Sequence, residues 1–254
     1  MNDPSKECFD HYLEMYMRNA GGRFRTLSEI EAFKLDRLPR WLSRLAVDAR
    51  ILDAGCATGH LLHLLEGLGF KNLTGVDVSA ELVAIARSQL PQSVTMHVSD
   101  IRDFLVKTPD GAYDAIFFHH VLEHIPREET IGLLREFRRC LAKGGFLNLK
   151  TPNAACLLAG YACFGDFTHV THFNEASLVQ VLERADFDTE GIEFVSHHPV
   201  LFWSLRHPLR MIYRILNRVR WHLNILVHKT VCLLLDLAPM PRVFDIELDA
   251  LIRK

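Results

Sequence analysis

Residues 51–59, I-L-D-A-G-C-A-T-G, constrain this chain more than any other stretch. Two apolar residues, Ile51 and Leu52, run into Asp53, and Gly55 and Gly59 bracket a tight turn that leads into a helical pattern over 60–68. A glycine turn between a buried strand and a helix start lets main-chain N–H groups come close to a ligand. In the dinucleotide fingerprint G-x-G-x-x-G the acid lies about 20 positions downstream. Here the spacing is D-x-G-x-x-x-G, with the acid before the turn. A carboxylate there repels a pyrophosphate and welcomes a cation.

The rhythm of strand and helix then repeats. The pattern predicts strands over 51–53, 73–78, 94–98, 113–118, 146–150 and 192–196, and helices over 60–68, 80–90, 127–141 and 174–185, with a Gly144-Gly145 turn before the fifth strand. Such alternation predicts an α/β fold with a mostly parallel sheet and helices on both faces, its ligand at the carboxyl ends of the strands where strand order reverses. Residues 243–252 alternate weakly and read as a closing strand on which Asp245, Glu247 and Asp249 share a face. Before the first strand, 7–20 and 28–46 read as helices. The second opens on a capping box of Ser28 and Glu31, carries Leu35, Leu38, Trp41, Leu42 and Leu45 on one side, and is kinked or divided at Pro39. Tyr12 and Tyr16 lie one helical turn apart and either pack or face a ligand.

The 254 residues suit one domain with an elaboration, and the elaboration shows in the charge. The formal net charge is −2, yet between His198 and Asp236 there is no acid, while Arg206, Arg210, Arg214, Arg218, Arg220 and Lys229 are all basic. Four of these arginines recur at four-residue steps, with Pro208 near the start of the pattern and Leu205, Leu209, Ile212, Ile215, Leu216 and Val219 on the apolar side. His228 and Lys229 interrupt the apolar run 223–237, which makes it a poor spanning helix. Segment 199–241 reads either as a basic amphipathic element on an anionic membrane surface or as a helical cap with solvated arginines. The chain divides into a helical cap (1–47), a core (48–198), the basic insertion (199–241) and a closing strand (242–254). Residues 1–10 show no apolar secretory core, so a cytoplasmic protein, peripheral to the membrane at most, is expected. The six cysteines form no C-x-x-C pair and no zinc spacing. Cys56, inside the turn, reads as a small filler rather than a nucleophile.

The ordered motifs resemble those of the class I methyltransferases that use S-adenosylmethionine (AdoMet), over residues 48 to about 188. The glycine turn, with Asp53, Gly55, Cys56, Ala57 and Gly59, matches the first motif; AdoMet carries an ammonium and a sulfonium and no phosphate. The family often has glycine at position 57, and alanine is a mild change if φ stays negative there. G-V-D-V-S ends the second strand with Asp77 and Val78, and the resemblance implies that Asp77 accepts both ribose hydroxyls. V-S-D-I ends the third strand with Asp100, implied to bind the adenine amino group, and Ile101, implied to touch the ring. The acids also read as helix caps. The segment 113–125, Y-D-A-I-F-F-H-H-V-L-E-H-I, resembles a later motif of the family, which implies that the strand end Phe118 to His120, with His119 and His120, borders the transferred methyl; His124 reads as structural. The resemblance implies a Rossmann-like seven-stranded sheet whose last strand is antiparallel, with the basic insertion before it emerging on the ligand side.

The segment 165–187 resembles the D-x-T-H stretch of a branch that includes methyltransferases of polysaccharide and quinone biosynthesis. His169 matches that family's histidine and is expected as general base, with His172 and His120 as alternates and with a loop-fixing bond from His169 to backbone as the other reading of that residue. The spacing of Asp166, His169 and His172 also suits a divalent metal, but no metal is expected in a loop of this kind. The resemblance implies an AdoMet-dependent O-methyltransferase. The basic insertion points to a saccharide or lipid-linked glycan acceptor, with a polyprenylated phenol or quinone precursor, or another small molecule, as the alternative. A methyltransferase-like binding protein without turnover and an NAD-dependent dehydrogenase are the readings from other classes. Nucleic acid is not expected: the basic segment is rich in apolar residues.

Overall fold

The structure is a computed structural model, and it describes residues 40–157, 159–196, 208–236, 241 and 243–254. The expected helix 7–20, most of helix 28–46 with its capping box, Tyr12 and Tyr16, and the side chains of Arg206, Arg210 and Arg214 lie outside the described residues.

Seven strands form one sheet: β1 (Arg50–Ala54), β2 (Asn72–Asp77), β3 (Thr95–Val98), β4 (Tyr113–His119), β5 (Leu141–Pro152), β6 (Glu193–Val195) and β7 (Glu247–Arg253). Their order is β3-β2-β1-β4-β5-β7-β6. The pairs among β1 to β5 are parallel, while β7 runs antiparallel between β5 and β6. Strand order reverses between β1 and β4, and in open α/β sheets ligands bind outside the carboxyl ends of the strands at such a point.

Among the described residues the helices are α1 (His60–Gly67), α2 (Ala80–Gln89), α3 (Ile101–Lys107), α4 (Arg127–Cys140), α5 (Ala159–Phe164), α6 (Glu175–Arg184) and α7 (Pro208–Leu234). Short 3-10 turns cover Arg40–Arg44 and Leu122–His124. Local chemistry fixes the helix starts. The Ser79 hydroxyl accepts from Leu82 N at 3.3 Å, Asp100 caps α3, and Asn174 and Ser177 cap α6 reciprocally. Proline supplies the preset φ of a first helical residue at the start of α7.

Period-two alternation along β4 builds both cores. Phe118 and Ile116 pack with Leu52, Val76, Leu134, Phe137 and Leu147 on one face. Phe117 and Ala115 pack with Ile51, Leu62, Val83 and Trp41 on the other, where the Trp41 and Phe117 rings stack at 5.4 Å. With both faces covered, the middles of the central strands are largely apolar, and their buried polar residues, Asp53 and Asn148 among them, lie toward the carboxyl ends.

Three differences from the sequence reading have physical causes. Helix α3 was not expected; it is a single short element with Leu105 as its one fully buried residue. Residues 141–145, read as helix end and turn, begin β5, because a register shift between Tyr113 and Ala115 lets the strand start at Leu141. The closing strand is shorter than 243–252 and buried along most of its length, since it pairs on both sides.

Candidate active site

The turn after β1 is built on three left-handed residues, Gly55 (φ 81°), Ala57 (φ 45°) and Gly59 (φ 78°). Gly55 N and Cys56 N donate to Val76 O at 2.8 and 3.1 Å, and a Cβ added at Gly55 would lie 2.3 Å from Val121 Cγ2. The condition under which alanine would be a mild change, a negative φ at position 57, is therefore not met. The loop needs the left-handed conformation there, and alanine bears a steric cost that glycine would not. Cys56 is buried, and burial pushes its thiol well up, so it fills space.

The acids of the turn are close to one another. Asp53 is 4% exposed, and burial, reinforced by the charge of Asp77, pushes its pKa up to about 7. Asp77 Oδ2 accepts from Ala57 N at 2.8 Å and Oδ1 from Ser79 N at 2.9 Å. Burial raises the Asp77 pKa, although these bonds oppose the rise. The Val78 N–H also bonds this carboxylate, and its two oxygens together keep acceptor capacity beyond these backbone donors. Val78 is exposed beside it.

Asp100 is engaged within the protein. Its oxygens hold Arg102 N (2.8 Å), Nε (2.9 Å) and the Arg102 guanidinium (2.6 Å), so it works as the cap of α3. The paired guanidinium keeps its carboxyl below the usual range. Ile101 packs against the core.

At the end of β4 two histidines separate in character. The His119 ring lies 2.8 Å from Asn148 Oδ1, and Asn148 Nδ2 donates to Asp249 Oδ1 at 2.7 Å. Asp249 in turn pairs with Lys150 at 3.2 Å, fully buried, a role its alternation with Asp245 and Glu247 had not indicated. Desolvation and the Lys150 cation push His119 down to about 3, so its ring is neutral. His120 takes a left-handed φ of 55° and lies between Glu123 (3.6 Å) and Glu247 (3.5 Å). Desolvation opposes its charge, but the two carboxylates prevail and push its pKa up to about 10. A ring that is already protonated at neutral pH is not a base, which sets His120 aside among the alternates.

The loop 166–172 comes to the same end of the sheet. Val170 N and Thr171 N donate to Glu123 O at 2.9 and 3.1 Å, stitching the loop to the turn after β4. The His169 Nδ1 lies 2.9 Å from Cys163 O, and the His124 Nδ1 3.2 Å from Thr168 O. A carbonyl only accepts, so both rings carry their proton on Nδ1, and in the neutral form Nε2 presents a lone pair. Burial lowers the His124 pKa. The two rings meet edge to face at 4.8 Å. Asp166 is occupied by Thr168, accepting its N–H at 2.9 Å and its hydroxyl at 2.6 Å, while the His172 ring packs on Phe164 at 4.5 Å.

The metal-type spacing Asp166, His169, His172 thus does not assemble. A different set does: ligand atoms of Glu123, His124 and His169 lie within 4.8 Å of one another. Glu123 is 1% exposed, and its Oε2 has no hydrogen-bond partner among the described residues. Burial alone would raise its carboxyl, but the adjoining His120 cation leaves it below the usual range. A buried carboxylate oxygen beside two imidazoles is the donor chemistry of a divalent-cation site. Sequence reading passed over Glu123, although an acid next to His124 after a wholly buried strand was a signal for it.

A family model described as "Methyltransferase domain" matches residues 25–191. The chain is 32% identical over 139 residues to a ubiquinone biosynthesis O-methyltransferase of Xanthomonas campestris pv. campestris (strain B100), a match covering 53% of this chain and 55% of that protein. The chain thus spans about half the length of the curated relatives it matches. Among solved structures it resembles a SAM-dependent methyltransferase from Archaeoglobus fulgidus, with a TM-score of 0.65 at 18% identity, covering 96% of this chain and 100% of that one. It also resembles the Burkholderia thailandensis 1,6-didemethyltoxoflavin-N1-methyltransferase with bound 1,6-didemethyltoxoflavin and S-adenosylhomocysteine, with a TM-score of 0.56 at 14% identity, covering 98% and 86%.

Proposed function

The chain belongs to the methyltransferase-domain family of AdoMet-dependent class I enzymes, and on that premise we propose that it methylates a phenolic hydroxyl of a polyprenylated quinone precursor. The likeness to ubiquinone biosynthesis O-methyltransferases carries this choice of acceptor and favours it over the saccharide expected from the basic insertion.

The residues of the turn fit AdoMet. Two acids with no lysine or arginine bound to either carboxylate among the described residues are costly in a buried site, and a cationic guest offsets that cost. Asp53 takes the ammonium, the remaining lone pairs of Asp77 take the ribose hydroxyls, and exposed Val78 offers an apolar surface to the base. AdoMet, when bound, supplies a methyl group made electrophilic by its sulfonium. The protein holds the hydroxyl in line and excludes water, and such positioning contributes roughly 7–11 kcal/mol. His169, its Nδ1–H anchored on Cys163 O, presents Nε2 to take the hydroxyl proton as the oxygen attacks.

The orphan oxygen of Glu123 favours a second way of activating the hydroxyl, a divalent cation held by Glu123, His124 and His169 that lowers its pKa. The two routes exclude each other, because His169 Nε2 cannot be both ligand and base. Among acceptors, a saccharide on a prenyl diphosphate carrier is the second reading, favoured by the cations of α7, Arg218, Arg220 and Lys229. Either acceptor lives in a bilayer, and on this reading the protein works in the cytoplasm against an anionic membrane surface.

The test is transfer of label from AdoMet to a prenylated catechol and to a prenyl-diphosphate-linked saccharide, both in detergent. Label in the catechol supports the proposal, and label in the saccharide alone replaces it with the second reading. Calorimetry adds a floor: no AdoMet binding would leave the scaffold reading, and NAD binding in its place would point to a dehydrogenase.

A further inference from the structure

Helix α7 is seated on the protein by a narrow stripe. Trp221 donates to Asp245 Oδ1 at 3.3 Å, His228 is buried and accepts Leu157 N at 2.8 Å, and Cys232 is buried a turn later. At 3.6 residues per turn these residues share one side of the helix. The opposite side is apolar and exposed: Ile212, Leu216, Val219, Leu223, Leu226 and Leu234 follow the helical repeat with exposures between 50% and 79%. Thr230 fills the one remaining place in that series, and its hydroxyl turns back to donate to Leu226 O at 2.8 Å. Arg218 and Lys229 border this apolar stripe on one flank and Arg220 on the other, and α7 contains no acid.

We propose that this outward face of α7 is a docking surface for an anionic lipid bilayer, on which the helix lies parallel to the membrane plane. Three observations support that occupant. No helix among the described residues is long and apolar enough to cross a membrane, so an interfacial pose is what the apolar stripe can use. The flanking cations complement anionic headgroups, each contributing about fivefold in affinity, equivalent to ~1 kcal/mol. The seat lies at the carboxyl end of the sheet, since Leu157 follows β5 and Asp245 precedes β7. Exposed Tyr161, Phe164 and Phe167 stand on α5 and the following loop at that same end, near His169. Docking therefore turns the mouth of the site toward the bilayer. The inference rests on the acceptor reading for its purpose but not for its physics.

The experiment is flotation of the full chain with vesicles of phosphatidylcholine alone and with phosphatidylglycerol added, at low and high salt. The expected result is flotation with the anionic vesicles, weakened by salt, and lost by about tenfold or more in the double variant L216E/L223E. Both positions are exposed, and retained AdoMet binding checks that the variant is folded. A chain that stays at the bottom with anionic vesicles, or a double variant that floats as well as the parent, overturns the proposal. A concentration-dependent dimer abolished by L216E/L223E, without flotation, overturns it in favour of a second copy as the occupant. Methyl transfer in detergent by a chain that does not float would leave the acceptor reading standing, and flotation without transfer would leave the docking surface standing.

Discussion

Replacing Asp53 by asparagine tests the electrostatics of the site. The carboxyl titrates near 7 in the folded chain because burial and Asp77 oppose its charge, whereas an unfolded aspartate titrates near 3.9. An acid with a raised folded pKa binds its proton more tightly when folded. Its contribution to stability is greatest below about pH 4, falls as pH rises between the unfolded and folded values, and levels off above about pH 7. The full difference corresponds to ~4 kcal/mol, a ceiling that local hydration reduces. The amide of the variant does not titrate, so the difference in stability between Asp53→Asn and the parent should grow by up to about that amount from pH 4 to pH 8, in favour of the variant. Urea unfolding without AdoMet across that range measures it. Using the difference cancels the other titrating groups, such as His120 and Glu123. The same variant should bind AdoMet at least tenfold more weakly, because an amide does not neutralise an ammonium. The parent should release a proton on binding near pH 6, seen as a dependence of calorimetric heat on the buffer. A stability difference that stays flat with pH, or AdoMet affinity that survives the change, would refute the reasoning.

Ala57→Gly should stabilise the chain by about 0.5–1 kcal/mol in urea unfolding, since it relieves a left-handed φ at some cost in unfolded-chain entropy; destabilisation would contradict the strain assigned to the turn. Gly55→Ala should act the other way, by about 2 kcal/mol or more, through its φ of 81° and the overlap with Val121, measured in the same way. His169→Ala should lower turnover by about 10²- to 10⁴-fold with AdoMet affinity unchanged, as read by steady-state kinetics and calorimetry; equal losses in both would remove it as the base. If a divalent cation does that work instead, a chelator should abolish transfer and added metal restore it, and Glu123→Gln should weaken metal binding measured directly.

The central sheet was legible because its strands are covered on both faces and bounded by turn residues, so each apolar run announced itself. Asp53 and the glycines were legible for a related reason: their spacing is local, and local geometry decides what a turn can bind. Asp100 shows the limit of local reading, because an acid at a strand end serves equally as a ligand acceptor and as a helix cap, and the structure shows the cap with Arg102 two residues on. The histidines were harder still. The state of His120 depends on Glu247, on the last strand of the chain, and the pairing of Lys150 with Asp249 depends on the register of β5 with β7. No pattern within a window of sequence encodes contacts made across those distances. Helix α7 falls between these cases: its apolar and basic faces could be read at once, whereas which face meets the protein became visible only through Trp221 and His228.

The place of β7 between β5 and β6 also sets an order of assembly. During synthesis both neighbours emerge before it, so until it arrives the sheet ends at β5, and β6, whose ladder partner is β7, has nothing to pair with. Until residues 247–253 arrive, β5 and β6 each offer an unpaired edge, and β5 presents seven residues that β7 will later cover. Such edges recruit strands from other chains. The last strand therefore does more than complete the fold. It closes the interval in which a nascent chain is most prone to pair with the wrong partner, and a fragment ending before residue 247 would remain in that interval for good.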